Sequence, residues 1–179
     1  MAIRLESFRM PRYREIPDVG LYLDQTVKYI NRYVAPLGCV EITASMVSNY
    51  VKKGYIRNPV HKQYDAKQIV QLFFIAVVKN VLSMENIGYM FDCLEAYPLD
   101  AAYNFFCDEF ERLLAQTFGS APPESTETQD MSSAYPVQMF RSVITAVVHV
   151  IYLSDCFAAL REEKMKLPAI APVSAPLQQ

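Results

Sequence analysis

The chain has 179 residues, 52% of them hydrophobic and 20% charged, with 10 Phe, 12 Tyr and no Trp. That is enough to bury a domain-sized core, and it excludes disordered, collagen-like, mucin-like and acidic-tail classes. The net charge is −2, yet residues 43–80 carry six basic groups against the single acid Asp65, while residues 81–179 carry five basic and 13 acidic groups. A negative total therefore does not exclude nucleic acid, because phosphates are neutralised by a local basic patch and not by the sum.

Residues 1–19 read as an N-terminal arm: Arg4, Arg9, Arg12 and Arg14 interrupt any apolar run of the length a secretory signal needs. Cys39, Cys93, Cys107 and Cys156 form no C-x-x-C pair, and His61 and His149 lie far apart. No metal or cofactor motif can be written from them, and a reduced, cytoplasmic setting is expected.

A first helix is expected over 21–33, where Tyr22, Val27, Ile30 and Val34 share a face and Ala35-Pro36-Leu37-Gly38 ends it. Thr43 is a natural N-cap for a second, which runs to Gly54 in C-cap position. Its stripe Val47, Tyr50 and Val51 faces inward, which leaves Ser45, Ser48, Asn49, Lys52 and Lys53 outward without a single acid. Short polar side chains and cations on one helix suit a major groove, where Asn can bond adenine and Lys guanine. Residues 55–64 are too broken for a helix and have the size of a small β-ribbon or wing, whose Arg57, His61 and Lys62 would touch phosphates.

Asp65 and Gln68 suggest a capping box for a third helix, apolar nearly all round from Ile69 to Val81, and Ser83 caps a fourth over 84–94. Further helices are expected over 101–118 and 137–160, separated by a Ser/Thr/Pro-rich linker at 119–136 and followed by an extended tail, 167–179. The most apolar stretches, 69–78 and 143–153, are shorter than the roughly 20 residues that span a bilayer, so no membrane segment is expected. His149 reads as a core histidine. Asp108, Glu109 and Glu111 have no partner His, and no nucleophile-elbow, P-loop or dinucleotide fingerprint is present, so an enzyme is not expected.

Residues 42–87 resemble the winged helix-turn-helix of MerR-type transcription regulators. The likeness rests on Ile42-Thr43, Tyr50 with Lys52, Gly54-Tyr55-Ile56, Pro59, Tyr64-Asp65, Lys79 and the step Leu82 to Ile87, in that order. More closely, Leu21 to Gln25, Ile42 to Lys53 and Tyr64 to Ile87 resemble an uncharacterised bacterial domain-of-unknown-function family that is itself MerR-like.

The resemblance covers about residues 20–92 and implies double-stranded DNA as partner. The segment 43–53 would be the recognition helix and 55–64 the wing. Ser45, Ser48 and Asn49 would then face bases, while Tyr50, Lys52, Arg57, His61, Lys62 and Tyr64 would face phosphates. Three features depart from the MerR pattern. Ser48 and Asn49 stand where an Arg and an aromatic are usual, the connection 35–42 is long, and the C-terminal half has no long heptad coiled coil.

The expectation is thus an all-α protein with a small β wing: a winged helix-turn-helix over 20–94 and a helical region over 95–166. The aromatic-rich helices of the second region read as core, as a homodimer seam, or as a pocket for a small apolar effector. A dimer would hold two half-sites at fixed spacing. The alternative function is a protein-interaction module that keeps the winged fold without binding DNA.

Overall fold

Local signals set most element ends in the computed structural model, which describes residues 5–38, 41–119 and 135–166. A two-residue strand, β1 (Leu21–Tyr22), leads into α1 (Leu23–Val34), and a 3-10 turn over Ala35–Leu37 stops at Gly38. α2 (Ala44–Lys52) begins where the Thr43 hydroxyl accepts from the Met46 N–H at 3.2 Å. It ends at Gly54, φ 77°, with the Gly54 N–H donating to the Val51 carbonyl and the Tyr55 N–H to the Tyr50 carbonyl. This double closure needs a left-handed residue at Gly54.

The second strand, β2 (Gln63–Tyr64), runs antiparallel to β1, with Leu21 opposite Tyr64 and Tyr22 opposite Gln63. The capping box of Asp65 and Gln68 opens α3 (Ala66–Val78), and Ser83 caps α4 (Met84–Leu94). Two long helices follow, α5 (Leu99–Phe118) and α6 (Tyr135–Lys166). The fold is mainly α with a small β wing.

Several boundaries differ from the sequence expectation. Residues 21–22 pair as a strand instead of opening α1, because their partners, Tyr64 and Gln63, lie far along the chain, where no periodicity can point to them. α5 starts at Leu99. α6 starts at Tyr135, so Pro136 sits in its first turn, where the missing N–H has no intrahelical partner to lose. The rest of the expected linker (120–134), the tail (167–179), Arg4 and Cys39 lie outside the described residues.

α3 is the hub. From Gln68 to Val78 only Gln71 is not fully buried. The neighbours Phe73 and Phe74 point about 100° apart on the helix and meet different partners. Phe73 packs edge-on against Tyr29 and Tyr33 of α1 and meets Tyr103 of α5, while Phe74 contacts Phe91 of α4, Phe106 of α5 and Phe140 of α6. One core cluster accordingly runs from the N-terminal arm to α6.

α5 and α6 lie side by side with the same polarity: Phe105 meets Phe140 at one end and Phe118 meets Tyr152 at the other. α6 therefore runs on past the end of α5 by roughly 20 Å, taking 1.5 Å per residue. On that overhang Leu153, Phe157 and Leu160 are exposed. His149 is exposed as well, so it is not the core histidine that its apolar neighbours suggested. By length and composition the 29 residues Tyr135–Glu163 could cross a bilayer. The expectation of no such segment counted only the apolar run 143–153. One face of this helix, Phe140, Val143, Ile144, Val147, Val148 and Ile151, is buried in the core.

The arm docks on α5 through a buried carboxylate. Glu111, 7% exposed, is gripped by Arg12 in a two-pronged pair at 2.6 and 2.8 Å, by Arg9 at 2.6 Å and by the Met10 N–H at 2.7 Å. Phe8 packs edge-on against Phe110 beside it. Burial pushes the Glu111 carboxyl up, but the hydrogen bonds from Arg12, Met10 and Arg9 outweigh it and leave the net value below the usual carboxylate range.

Glu111→Ala is expected to lower the urea-unfolding free energy at pH 7 by about 2–3 kcal/mol, less than for a fully buried pair because Arg12 keeps some solvent. A depressed carboxyl contributes its stability above its unfolded pKa and loses it as pH falls through the folded one. The difference between wild type and variant should therefore be full at neutral pH and shrink below the ordinary carboxylate range.

Candidate nucleic-acid interface

The helix singled out by sequence keeps its polar face in solvent. Ser45, Ser48, Asn49, Lys52 and Lys53 are all exposed, Val47 and Tyr50 are buried, and α2 has no acidic residue. Among the described residues the side chains of Ser48, Asn49, Lys52 and Lys53 make no hydrogen bond or ion pair, whereas the Ser45 hydroxyl sits 2.9 Å from that of Thr43. The face is thus available to an outside partner.

Two clamps position it. The Asn31 carboxamide of α1 accepts from the Ile42 N–H at 3.0 Å and donates to the Ile42 carbonyl at 2.8 Å, pinning the residue just before the α2 cap. At the other end, buried Gln68 donates to the Arg57 carbonyl at 2.8 Å and so ties the segment after α2 to the first turn of α3. Sequence reasoning found Gln68 only as a capping partner and missed Asn31. Both tie residues 11 positions apart, and a carboxamide carries no local signal of such a role.

The wing is a tight hairpin. The Gln63 N–H donates to the Val60 carbonyl at 2.9 Å, and both central residues, His61 (φ 50°) and Lys62 (φ 64°), are left-handed. Two positive φ values are what a turn matching strand twist demands, and Asn-Gly fills them with least strain. Here an exposed imidazole and an exposed ammonium occupy them instead. β1 supplies the strand partner, and at Gly20 an added Cβ would come within 2.7 Å of Gln63 Cβ, so glycine admits this close approach.

Three expected phosphate contacts are placed differently. The rings of Tyr50 and Tyr64 are buried, and burial pushes both phenols up, so they buttress the surface from below. Both are large and amphipathic, and both rings join the hydrophobic core. Arg57 is exposed but ion-paired with Asp65, the cap of α3, which neutralises part of its charge. Among the candidate residues Lys52, Lys53 and Lys62 make no ion pair, and exposed His61 precedes Lys62 at the wing tip.

Fold and site define a mainly helical protein with a small β wing, presenting an acid-free polar helix face. Residues 11–106, more than half of the chain, match the family described as Domain of unknown function (DUF1836), and the chain belongs to that family. The matched region takes in α2, the wing, α3 and α4, and ends within α5. No curated protein and no solved structure matches the chain.

Asn31→Ala would leave the Ile42 N–H and carbonyl without their partner, and is expected to cost about 1–3 kcal/mol in chemical denaturation. Amide exchange should rise first at the start of α2, while α5 and α6 keep their protection.

Proposed function

We infer that this chain is a DNA-binding transcriptional regulator of MerR-like type, acting in the cytoplasm as a homodimer. The observation that carries the reading is the exposed, acid-free face of α2, on which Ser48, Asn49, Lys52 and Lys53 have no partner among the described residues. Ser45, Ser48 and Asn49 supply short groups for base edges in the major groove, and Lys52 and Lys53 supply charge for the backbone. The wing tip adds Lys62 and His61 at positions whose φ values glycine would fill with less strain. Replacing glycine by a cation at such a position makes sense where the cation has a partner outside the chain.

A specific observation favours the alternative, a protein-interaction module: the pairing of Arg57 with Asp65 thins the phosphate-facing charge to a few residues. The two readings differ in salt dependence. Phosphate contacts release counterions and weaken steeply with salt, whereas an apolar protein contact does not.

Selection of random-core duplexes at about 0.1 M salt is expected to enrich a palindromic motif, with affinity lost in Asn49→Ala. No enrichment and no bulk DNA retention would overturn the reading. Lys62→Gly separates folding from binding: it should raise stability by up to about 1 kcal/mol by relieving the positive φ. The same change should reduce the slope of log K against log salt by about one.

The exposed stripe Leu153, Phe157 and Leu160, at i, i+4 and i+7 beyond the end of α5, supports dimerisation through α6. Light scattering should give a dimer for the wild type and a monomer for Phe157→Glu. Circular dichroism should show the helices kept, because Phe157 is exposed within the protomer, while the melting midpoint should lose the dependence on protein concentration that a dimer confers. A wild-type monomer that floats with lipid vesicles would assign the stripe to a membrane instead.

A further inference from the structure

Where α3, α4, α5 and α6 meet, the fold leaves a cavity of about 280 Å³. Phe74, Phe91, Tyr97, Tyr103, Phe106 and Phe140 wall it, and an adjoining, almost wholly apolar cavity of about 150 Å³ shares Tyr97, Ala102 and Phe140. Packed interiors hold few voids larger than a water molecule, and aromatic-walled spaces of a few hundred Å³ with a handful of polar groups are what small ligands occupy. The rings brace one another: Phe74 stacks on Phe140 at 5.5 Å and packs against Phe91 at 5.6 Å and Phe106 at 5.3 Å. Collapse of the space would have to break those contacts.

The polar groups of the lining are few. Tyr97 and Tyr103 bring hydroxyls, that of Tyr103 buried without a hydrogen-bond partner among the described residues; of the other polar side chains, Lys67 and Gln71 stand one turn apart on α3, and Glu95 follows α4. Lys67 and Glu95 are exposed and Gln71 half-buried, so these three side chains belong to the mouth. Among the described residues none of these three side chains makes a hydrogen bond or ion pair. Lys67 and Gln71 both donate, and Lys67 lies in the first turn of α3, at the positive end of the helix dipole. Glu95 disfavours a second negative charge.

We propose that this cavity binds a small aromatic monocarboxylate, its ring among Phe74, Phe91, Phe106 and Phe140 and its carboxylate on Lys67 and Gln71. The same stretch of α3 holds the wing, since Gln68 lies between Lys67 and Gln71 and grips the Arg57 carbonyl. An occupant bridging Lys67 and Gln71 therefore bears on the element that fixes the wing. Only this coupling rests on the DNA-binding reading; binding itself does not.

The test is calorimetric titration of the full-length protein, without DNA, with 2-naphthoate, and with 2-naphthylmethylammonium and naphthalene-2,6-dicarboxylate for comparison. Saturable one-to-one binding of 2-naphthoate is expected, with both comparison compounds weaker. Lys67→Ala should weaken 2-naphthoate by about tenfold or more, the loss of one charge-assisted contact. Ala102→Trp, which fills both cavities, should abolish it. Circular dichroism verifies the fold of each variant; Lys67 is exposed and unpaired among the described residues, so its variant is readable even where the tryptophan one does not fold. Absence of saturable binding at millimolar 2-naphthoate, equal or tighter binding of the ammonium compound, or indifference to Lys67→Ala would each overturn the proposal. Because no DNA is in the cell, such a failure leaves the DNA reading to its own experiment.

Discussion

The structure depends on the burial of α3 from Gln68 to Val78, over nearly its whole circumference. A helix in an ordinary two-layer packing hides one stripe, but α3 hides nearly all of its circumference. Phe73 and Phe74, adjacent in sequence, point about 100° apart on a helix, which lets one turn serve two separate groups of neighbours. Phe73 faces α1, and through α1 it supports α2. Phe74 faces α4, α5 and α6. Loss of either ring would remove several aromatic contacts at once from a close-packed interior, where the lining cannot relax to refill the space.

That arrangement explains how a short helix can present a stable polar face. α2 has only nine residues, too few to persist alone, since isolated helices shorter than about a dozen residues are marginal in water. Its orientation is imposed from outside. Asn31 fixes the backbone before its cap, Val47 and Tyr50 enter the core, and the segment after Gly54 is held by Gln68 on α3. With both ends tied, Ser48, Asn49 and Lys52 are free of structural duty. The wing follows the same logic: its backbone is secured by β1 and by the Val60–Gln63 closure, while its strained tip carries the charge.

The C-terminal helices add to this hub without continuing it. α5 is gripped on one side by the arm, through the Arg12–Glu111 pair, and on another by α6. Glu111 illustrates why buried charges persist: desolvation opposes it, and four hydrogen bonds from two guanidiniums and a backbone N–H compensate. α6 outruns its support, because α5 stops at Phe118 opposite Tyr152. Its last turns consequently keep apolar side chains in solvent that the same sequence would bury if α5 were longer.

Much of the architecture was legible in the chain itself, wherever the cause is local. Thr43, Asp65 with Gln68 and Ser83 cap the helices they were expected to cap, and Gly54 closes α2, because capping is a contact between residues a few positions apart. The inward stripe and outward polar face of α2 follow from helical period, and eight of the ten candidate contact residues are exposed. Tyr50 and Tyr64 are not, since whether an amphipathic ring lies in or out depends on which neighbours arrive over it. The strand at Leu21–Tyr22, the Asn31 clamp, the docking of the arm on Glu111, the exposure of His149 and the aromatic cavity were all decided by tertiary structure. Each joins residues that are far apart in sequence or depends on where a neighbouring helix ends, and periodicity along one segment carries no record of such encounters.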